Sequence, residues 1–231
     1  EQVSDIKLGP IFTPWVNVGN EAQYRATAQC PSATGGTNIP GGTVMDPVTG
    51  IMYVASRKAC TGGRLGAGAE RDDGADRLNQ PGVNVVDWMN AGGGGFAAME
   101  GLPIFKPPYG RITAIDLTTG DHAWMMANGD TPATVAERLE LDPAMIPRTG
   151  TSSRAGLLVT GSLLIAGEGM SGAPILRAHN KATGEIVAEI ELPGAQVGLP
   201  MSYMHDGKQY IIVAVSARGE PAEIVALTLP N

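Results

Sequence analysis

An all-β fold made of small antiparallel sheets arranged radially, a part of a β-propeller, is what this sequence of 231 residues predicts. Three observations point to it. The first is a repeated turn: Asp46-Pro47-Val48-Thr49-Gly50, Asp116-Leu117-Thr118-Thr119-Gly120 and Asn180-Lys181-Ala182-Thr183-Gly184. In each copy a short Asp or Asn side chain can bond the backbone ahead, and a glycine free to take positive φ closes a hairpin. The copies stand 70 and 64 residues apart, counted from 46 to 116 and from 116 to 180. That spacing predicts one multi-stranded unit per copy, the signature of a radial repeat. The second observation is a turn-rich composition, with Gly 32, Pro 17 and only 17% charged residues. The third is that short apolar runs bounded by turn residues account for nearly all ordered segments, leaving almost no helix. The same turn chemistry also serves hairpins of a β-sandwich, which is the competing architecture.

Taken in order, residues 1–20 hold Gly9-Pro10-Ile11-Phe12-Thr13-Pro14, where two prolines forbid a central strand, and predict an extended lead-in. A strand over 24–29 leads into a glycine-dense loop from Cys30 to Gly42. Strands over 43–45 and 51–55 flank the first Thr-Gly turn. From 61 to 101 the alternation breaks. The charged Glu70-Arg71-Asp72-Asp73 and the run Gly92-Gly93-Gly94-Gly95 offer little apolar surface to offset ordering entropy, so a long surface insertion is expected. The glycine run is no phosphate loop, since no Lys-Ser or Lys-Thr follows it. Strands resume over 111–115 and 123–126. Thr131 then caps a predicted helix with Pro132 at its first position, an apolar face of Val135, Leu139 and Leu141, and a stop at Asp142-Pro143. Apolar runs at 157–159 and 163–166, then strands over 175–177, 185–192, 199–204, 209–215 and 223–229, complete the chain, with Asp206-Gly207 as one more tight turn.

Composition excludes several functions. A net charge of -7 and a pI near 4.9, without a basic stripe, argue against a nucleic-acid partner. No apolar run is long enough for a transmembrane helix. The chain opens at Glu1, as expected of a processed chain or of a first residue that is not the gene's first. Cys30 and Cys60 either pair, closing a loop worth about 3–4 kcal/mol in an oxidising compartment, or are two separate buried thiols. His122, His179 and His205 stand singly, without a metal-site spacing. No Gly-x-Ser-x-Gly elbow or haem-attachment Cys-x-x-Cys-His occurs.

Certain stretches resemble a known family. Ala114 to Trp124, an Ala followed by Asp-x-x-Thr-Gly-x-x-x-Trp, is similar to the blade signature of the quinoprotein dehydrogenases, which depend on pyrroloquinoline quinone (PQQ) and fold as eight-bladed propellers. Lys106-Pro107-Pro108-Tyr109-Gly110-Arg111-Ile112-Thr113-Ala114-Ile115-Asp116 and the stretch from Gly198 to Tyr210 resemble the closing blades of quinoprotein glucose and alcohol dehydrogenases. Cys30-Pro31-Ser32-Ala33, with Asn38 eight residues beyond Cys30, resembles a segment in which an Asn contacts the quinone and a disulfide brackets the blade.

The resemblance implies the carboxy-terminal part of an eight-bladed propeller, with about three blades in residues 1–231. It implies a Cys30–Cys60 disulfide and PQQ contacts from Asn38, Arg154 and Lys106, the arginine gripping one of the three carboxylates of PQQ. Ala188 stands where the family's blades carry Trp, so that blade is expected to lack its docking ring. No residue is singled out as a catalytic base or metal ligand; Asp46, Asp116, Asp121 and Glu185 read as turn residues. The catalytic Asp and the Ca²⁺ ligands are expected in the remaining blades, on a longer or second chain. The implied function is oxidation of an alcohol or aldose sugar by hydride transfer to PQQ in the periplasm, with ubiquinone or a cytochrome c as electron acceptor. The alternative is a non-catalytic periplasmic propeller scaffold that binds proteins.

Overall fold

The computed structural model describes residues 4–229 other than 18, 33–34, 38–41, 68–87, 93–97, 100–101, 104, 143–144 and 171, and gives only the backbone of 67, 98, 99 and 103. Two compact units share the chain, one formed by Glu1–Thr34 and Ala59–Ile104, the other by Gly35–Lys58 and Phe105–Asn231.

In the first unit the strand Thr61–Ala67 is central. It pairs antiparallel with Ala26–Gln29 and with Trp88–Asn90, and parallel with Val16–Asn17, while Ile6–Lys7 adds to Ala26–Gln29 in parallel. The expectation of a loop insertion from residue 61 is corrected here. The glycines of Thr61-Gly62-Gly63-Arg64 suggested a loop, but Gly63 is in the strand because the Trp15 indole lies against it, where any Cβ would collide. Residues 68–87 of that expected insertion lie outside the described residues. The strand expected over 24–29 is confined to Ala26–Gln29, and the lead-in carries two short strands held through Thr27, whose hydroxyl accepts from Val16 N at 2.8 Å. Cys30 and Cys60 form a disulfide, closing the end of the ladder where Gln29 faces Thr61.

The second unit is three antiparallel sheets. The first runs Thr43–Asp46, Ile51–Arg57, Gly110–Asp116 and His122–Ala127, each strand beside the next. The second repeats that order with Leu157–Val159, Leu163–Gly167, Ile175–Asn180 and Ile186–Glu191. The third has Lys208–Ser216 at its centre, Ala195–Gln196 and Met201–His205 along one side, and Glu223–Thr228 along the other. The sheets stack as blades do. Tyr53, Ala55, Ile112 and Ala114 of the first pack on Leu157, Leu164 and Ala166 of the second. Ile165 and Leu176, on its other face, pack on Val213 and Val215 of the third. Strict alternation lets one sheet bury both faces. Burial of each aliphatic side chain stabilises by about 1.5–3 kcal/mol.

One step of the repeat is wrong. The Asp46 and Asp116 turns close two hairpins of the same sheet, and only the Asn180 turn belongs to the next one. The 70-residue spacing between the first two arises because the chain leaves the first sheet after Arg57 and re-enters beside the same strand at Gly110. The turn chemistry itself holds at all three. Asp46 Oδ1, Asp116 Oδ1 and Asn180 Oδ1 accept from the backbone of Val48, Thr118 and Ala182 at 3.0, 2.7 and 2.9 Å. Gly50, Gly120 and Gly184 take φ of 70°, 80° and 81°.

The single helix among the described residues is Ala133–Leu139, with Pro132 rather than Thr131 at its N-cap and no side-chain cap bond. The Thr131 hydroxyl is turned instead to the loop at 147–149, donating to Pro147 O and accepting from Thr149 N. Of the expected apolar face only Val135 is buried; Leu139 and Leu141 are exposed. Glu140, in the left-handed region at φ 52°, ends the helix before Asp142-Pro143.

Candidate functional site at the loop ends of the sheets

Strand pairing sorts every connection of the second unit to one of two ends. At one end are the Asp46, Asp116 and Asn180 turns, the 159–163 turn and the tight turn at Asp206-Gly207. At the other are longer connections: the approach to Thr43, the departure at Lys58, the return at Tyr109, and the stretches 128–156, 168–174 and 192–200. The residues proposed from sequence to touch a cofactor, Asn38, Lys106 and Arg154, all lie along the chain in segments that join this second end.

Those segments are bonded to one another. Arg57 exchanges both backbone bonds with Gly36, at 2.8 and 3.0 Å, so the glycine-dense loop begins beside the end of the Ile51–Arg57 strand. Lys58 N donates to Tyr109 O, Tyr109 N to Thr149 O, and Thr151 N to Asn128 O. The Ser152 hydroxyl donates to Lys58 O at 3.0 Å, and Arg57 Nη1 donates to Ser152 O at 3.4 Å. Gly110 and Gly150 allow this closeness, since a Cβ on either would run into the backbone of the other's loop.

Arg154 sits at the head of this assembly, half-buried and bridged by its backbone to Met170. Its guanidinium bears on that of Arg57, whose proton affinity is lowered first by burial and then by the Arg154 charge. Among the described residues Arg154 has no ion pair with a carboxylate. Lys58 Nζ adds a third cation, donating to Lys106 O at 2.7 Å. Lys106 itself is exposed, and it is its backbone carbonyl that is engaged. Asn38 lies outside the described residues.

Beneath Arg154 is a buried charge network. The Ser153 hydroxyl donates to Glu168 O, and the Glu168 carboxylate accepts from Arg177 Nη1 at 2.5 Å and from Ala173 N at 2.9 Å. Arg177, 1% exposed, also donates through Nε to Glu189 at 2.7 Å and through Nη2 to Asp130 at 3.1 Å, and Arg148 closes the ring on Asp130. The Arg177 hydrogen bond holds the Glu189 carboxyl below the usual carboxylate range. Gln196, 1% exposed, fastens the third sheet to the same end by bonding both N and O of Gly156 at 3.2 Å. Arg57, Lys58, Glu168 and Arg177 escape a sequence reading. The one signal for the first two is the polar Ser56-Arg57-Lys58 ending an otherwise apolar strand; Glu168 and Arg177 are charges inside strand-like runs whose pairing is set by the fold.

The opposite end holds the sheets together. Trp124 pairs with Ala114 across the hairpin and lays its ring on Gly184 of the next sheet, while its Nε1 and the Tyr53 hydroxyl both donate to Lys181 O, at 3.1 and 3.0 Å. Lys181 Nζ returns to Asp46 Oδ2 at 2.6 Å. Ala188 occupies the register position of Trp124, opposite Ala178 as Trp124 is opposite Ala114. The junction it would have filled has no ring, and a groove of about 360 Å³ lined by Leu176, Ile190, Ile211 and Leu227 opens there.

A donor-rich end with two adjacent guanidiniums fits a planar, multiply negative ligand: guanidinium has donors only and matches a carboxylate geometrically. Among the described residues no cluster of His, Cys, Asp and Glu suits a metal ion, and no helix is long and apolar enough to cross a membrane.

Comparisons with known proteins bear on this site. A family profile described as "PQQ: Glucose/ethanol/alcohol dehydrogenase, beta-propeller domain" matches residues 1–211. The probable quinate dehydrogenase (quinone) of Xanthomonas campestris pv. juglandis is 30% identical over 225 residues, covering 87% of this chain and 27% of that protein. The quinoprotein glucose dehydrogenase of Escherichia coli K12 is 30% identical over 145 residues, 59% of this chain and 17% of its own length. In fold, the chain resembles the quinohemoprotein alcohol dehydrogenase of Comamonas testosteroni with a TM-score of 0.54 and 21% identity, over 90% of this chain and 28% of that one. The chain thus spans about a quarter of the length of the quinate relative.

Proposed function

This chain belongs to the family of PQQ-dependent quinoprotein dehydrogenases with a β-propeller fold, and on that premise we propose that it forms part of such an enzyme, one that oxidises an alcohol or an aldose sugar. The observation that carries the reading is the sorting of connections: the cationic segments gather at the loop end, where Arg57 and Arg154 meet. When bound, PQQ supplies the two-electron acceptor for the carbinol carbon of the substrate. Arg154, Asn38 and Lys106 are the proposed contacts. Arg154 binds a carboxylate through two parallel donors. Asn38 offers an amide donor from the loop that starts at the Gly36–Arg57 pairing. Lys106 contributes positive charge at the rim. The buried Glu168–Arg177 pair does no chemistry; it fixes the Ser153-Arg154 backbone so that the guanidinium is oriented before ligand arrives.

The substrate base and a Ca²⁺ ion belong, in this proposal, to parts of the enzyme outside this chain, and the electrons leave to a quinone or a cytochrome c in the periplasm. The test is reconstitution. The natural polypeptide carrying this chain, given PQQ and Ca²⁺, is expected to reduce a dye acceptor in the presence of primary alcohols or aldoses, and not when PQQ is withheld. Failure to take up PQQ under those conditions, seen as no gain of its near-ultraviolet absorption, would favour a protein-binding scaffold.

A further inference from the structure

Two like charges held side by side, each partly withdrawn from water, are unfavourable unless something negative joins them. The second unit places Arg57 and Arg154 in that arrangement by architecture rather than by chance of side-chain reach. Arg57 is fixed at the last position of a central strand, with its backbone paired to Gly36 and its Nη1 on Ser152 O. Arg154 is fixed by the Met170 bridge and by Gly169, whose lack of a Cβ lets the two backbones touch. The carboxylate whose own backbone adjoins this loop, that of Glu168, is buried and committed to Arg177 and the backbone of Ala173. Asp46, the buried carboxylate of the first sheet, is at the other end on Lys181. The charge at the loop end is therefore answered by neither buried acid of these sheets. Arg111 is kept apart from the pair, its Nε donating to the Ser56 hydroxyl at 3.0 Å.

We propose that Arg57 and Arg154 together form a carboxylate receptor, a two-guanidinium clamp that takes one carboxylate group of the quinone cofactor or of a hydroxy-acid substrate. This rests on the reading of the chain as part of a quinoprotein dehydrogenase, and it adds to that reading a second arginine and a ligand class. Each guanidinium presents parallel donors, so two of them can saturate the four lone-pair sites of a carboxylate. A neutral alcohol or sugar cannot answer two cations in this way.

The experiment uses the natural polypeptide carrying this chain, as wild type, Arg57→Met, Arg154→Met and the exposed-helix control Arg138→Gln, each first checked for an unchanged thermal midpoint. One arm measures the dissociation constant for PQQ by titrating the apoprotein in near-ultraviolet absorption. The other measures KM for a polyhydroxy carboxylic acid and for its neutral methyl ester. If the carboxylate is the cofactor's, each clamp variant weakens PQQ about tenfold or more, the cost of a charge-assisted bond, and the acid and ester KM values do not separate. If it is the substrate's, PQQ binding is unchanged, KM for the acid rises about tenfold or more, and that for the ester does not move. The proposal is overturned if both variants keep the wild-type PQQ affinity and the wild-type acid-to-ester ratio, or if Arg138→Gln reproduces their effect. Should the wild type bind no PQQ, the dehydrogenase reading fails separately, and the clamp is then judged by titration with benzene-1,3,5-tricarboxylate: saturable binding lost in both variants supports it, and no binding ends it.

Discussion

The two ends of the second unit solve the same problem, joining antiparallel strands, by different means. At the turn end each connection is closed by its own residues: Asp46 on Val48 and Thr49, Asp116 on Thr118, Asn180 on Ala182, with a left-handed glycine following. At the loop end nearly every bond joins residues far apart in sequence, Arg57 to Ser152, Ser152 to Lys58, Asn128 to Gly167, Glu168 to Arg177, Gln196 to Gly156. Local bonds make a robust scaffold. Distant ones converge on a single place, and that is where differing side chains can be brought to bear on one ligand. The difference teaches that in these sheets stability and recognition are divided between opposite ends of the same strands.

The sharpest way to break that division is to attack the buried charges below Arg154. Arg177→Met leaves Glu168 buried without its partner, and the expected loss of unfolding free energy is about 3–5 kcal/mol by urea denaturation. A loss below about 1 kcal/mol would mean that the loop end is held by something else. At the turn end, Trp124→Ala is expected to cost about 3 kcal/mol by removing the ring from Gly184. Tyr53→Phe, which deletes only the bond to Lys181 O, should cost about 1 kcal/mol in the same assay.

Acid should dissect the two ends separately. Asp46 is drawn down to about 2 by the Lys181 hydrogen bond first, then by Thr49 and Val48. The unfolded-state value lies near 3.8, so its stabilisation is complete above that pH and vanishes as pH falls towards 2. Asp46→Asn is expected to flatten the stability profile in that window alone. His179 is buried with Nδ1 on Gly184 O and no partner for Nε2 in the protein, and burial pushes its pKa below the usual 6.5. Its neutral form is favoured by folding, so its contribution is present above pH 6.5 and is lost as pH falls through the lower folded value. His179→Gln should remove that earlier phase and leave the Asp46 phase in place. The smallest effect expected is Thr49→Ala, about 0.5–1 kcal/mol, from the loss of its bond to Asp46.

The same division explains what was legible in the sequence. The Asp-x-x-Thr-Gly turns, the strands around them and the tight turn at Asp206-Gly207, with φ of 48° and 76°, follow from chemistry confined to a few consecutive residues. The position of Ala188 opposite Ala178 also follows, because register is set by the turn. What could not be read is whatever depends on where distant segments meet. The copies at 46 and 116 look like separate units until the pairing of Ile51–Arg57 with Gly110–Asp116 shows them to be one sheet. The strand character of Thr61–Ala67 depends on Trp15 packing on Gly63. Of the site, Arg154 stood out as an arginine in a turn-rich loop ahead of an apolar strand, whereas Arg57 becomes notable only when Ser152 is seen to lie against it.

The most direct test of the central claim is a crystal structure of the natural polypeptide carrying this chain, grown with PQQ. The account predicts the quinone at the loop end, within hydrogen-bond distance of groups from the 149–156 segment and away from the Asp46, Asp116 and Asn180 turns. A quinone seated at the turn end, or a loop end whose arginines face bulk solvent while the quinone is held elsewhere, would contradict it.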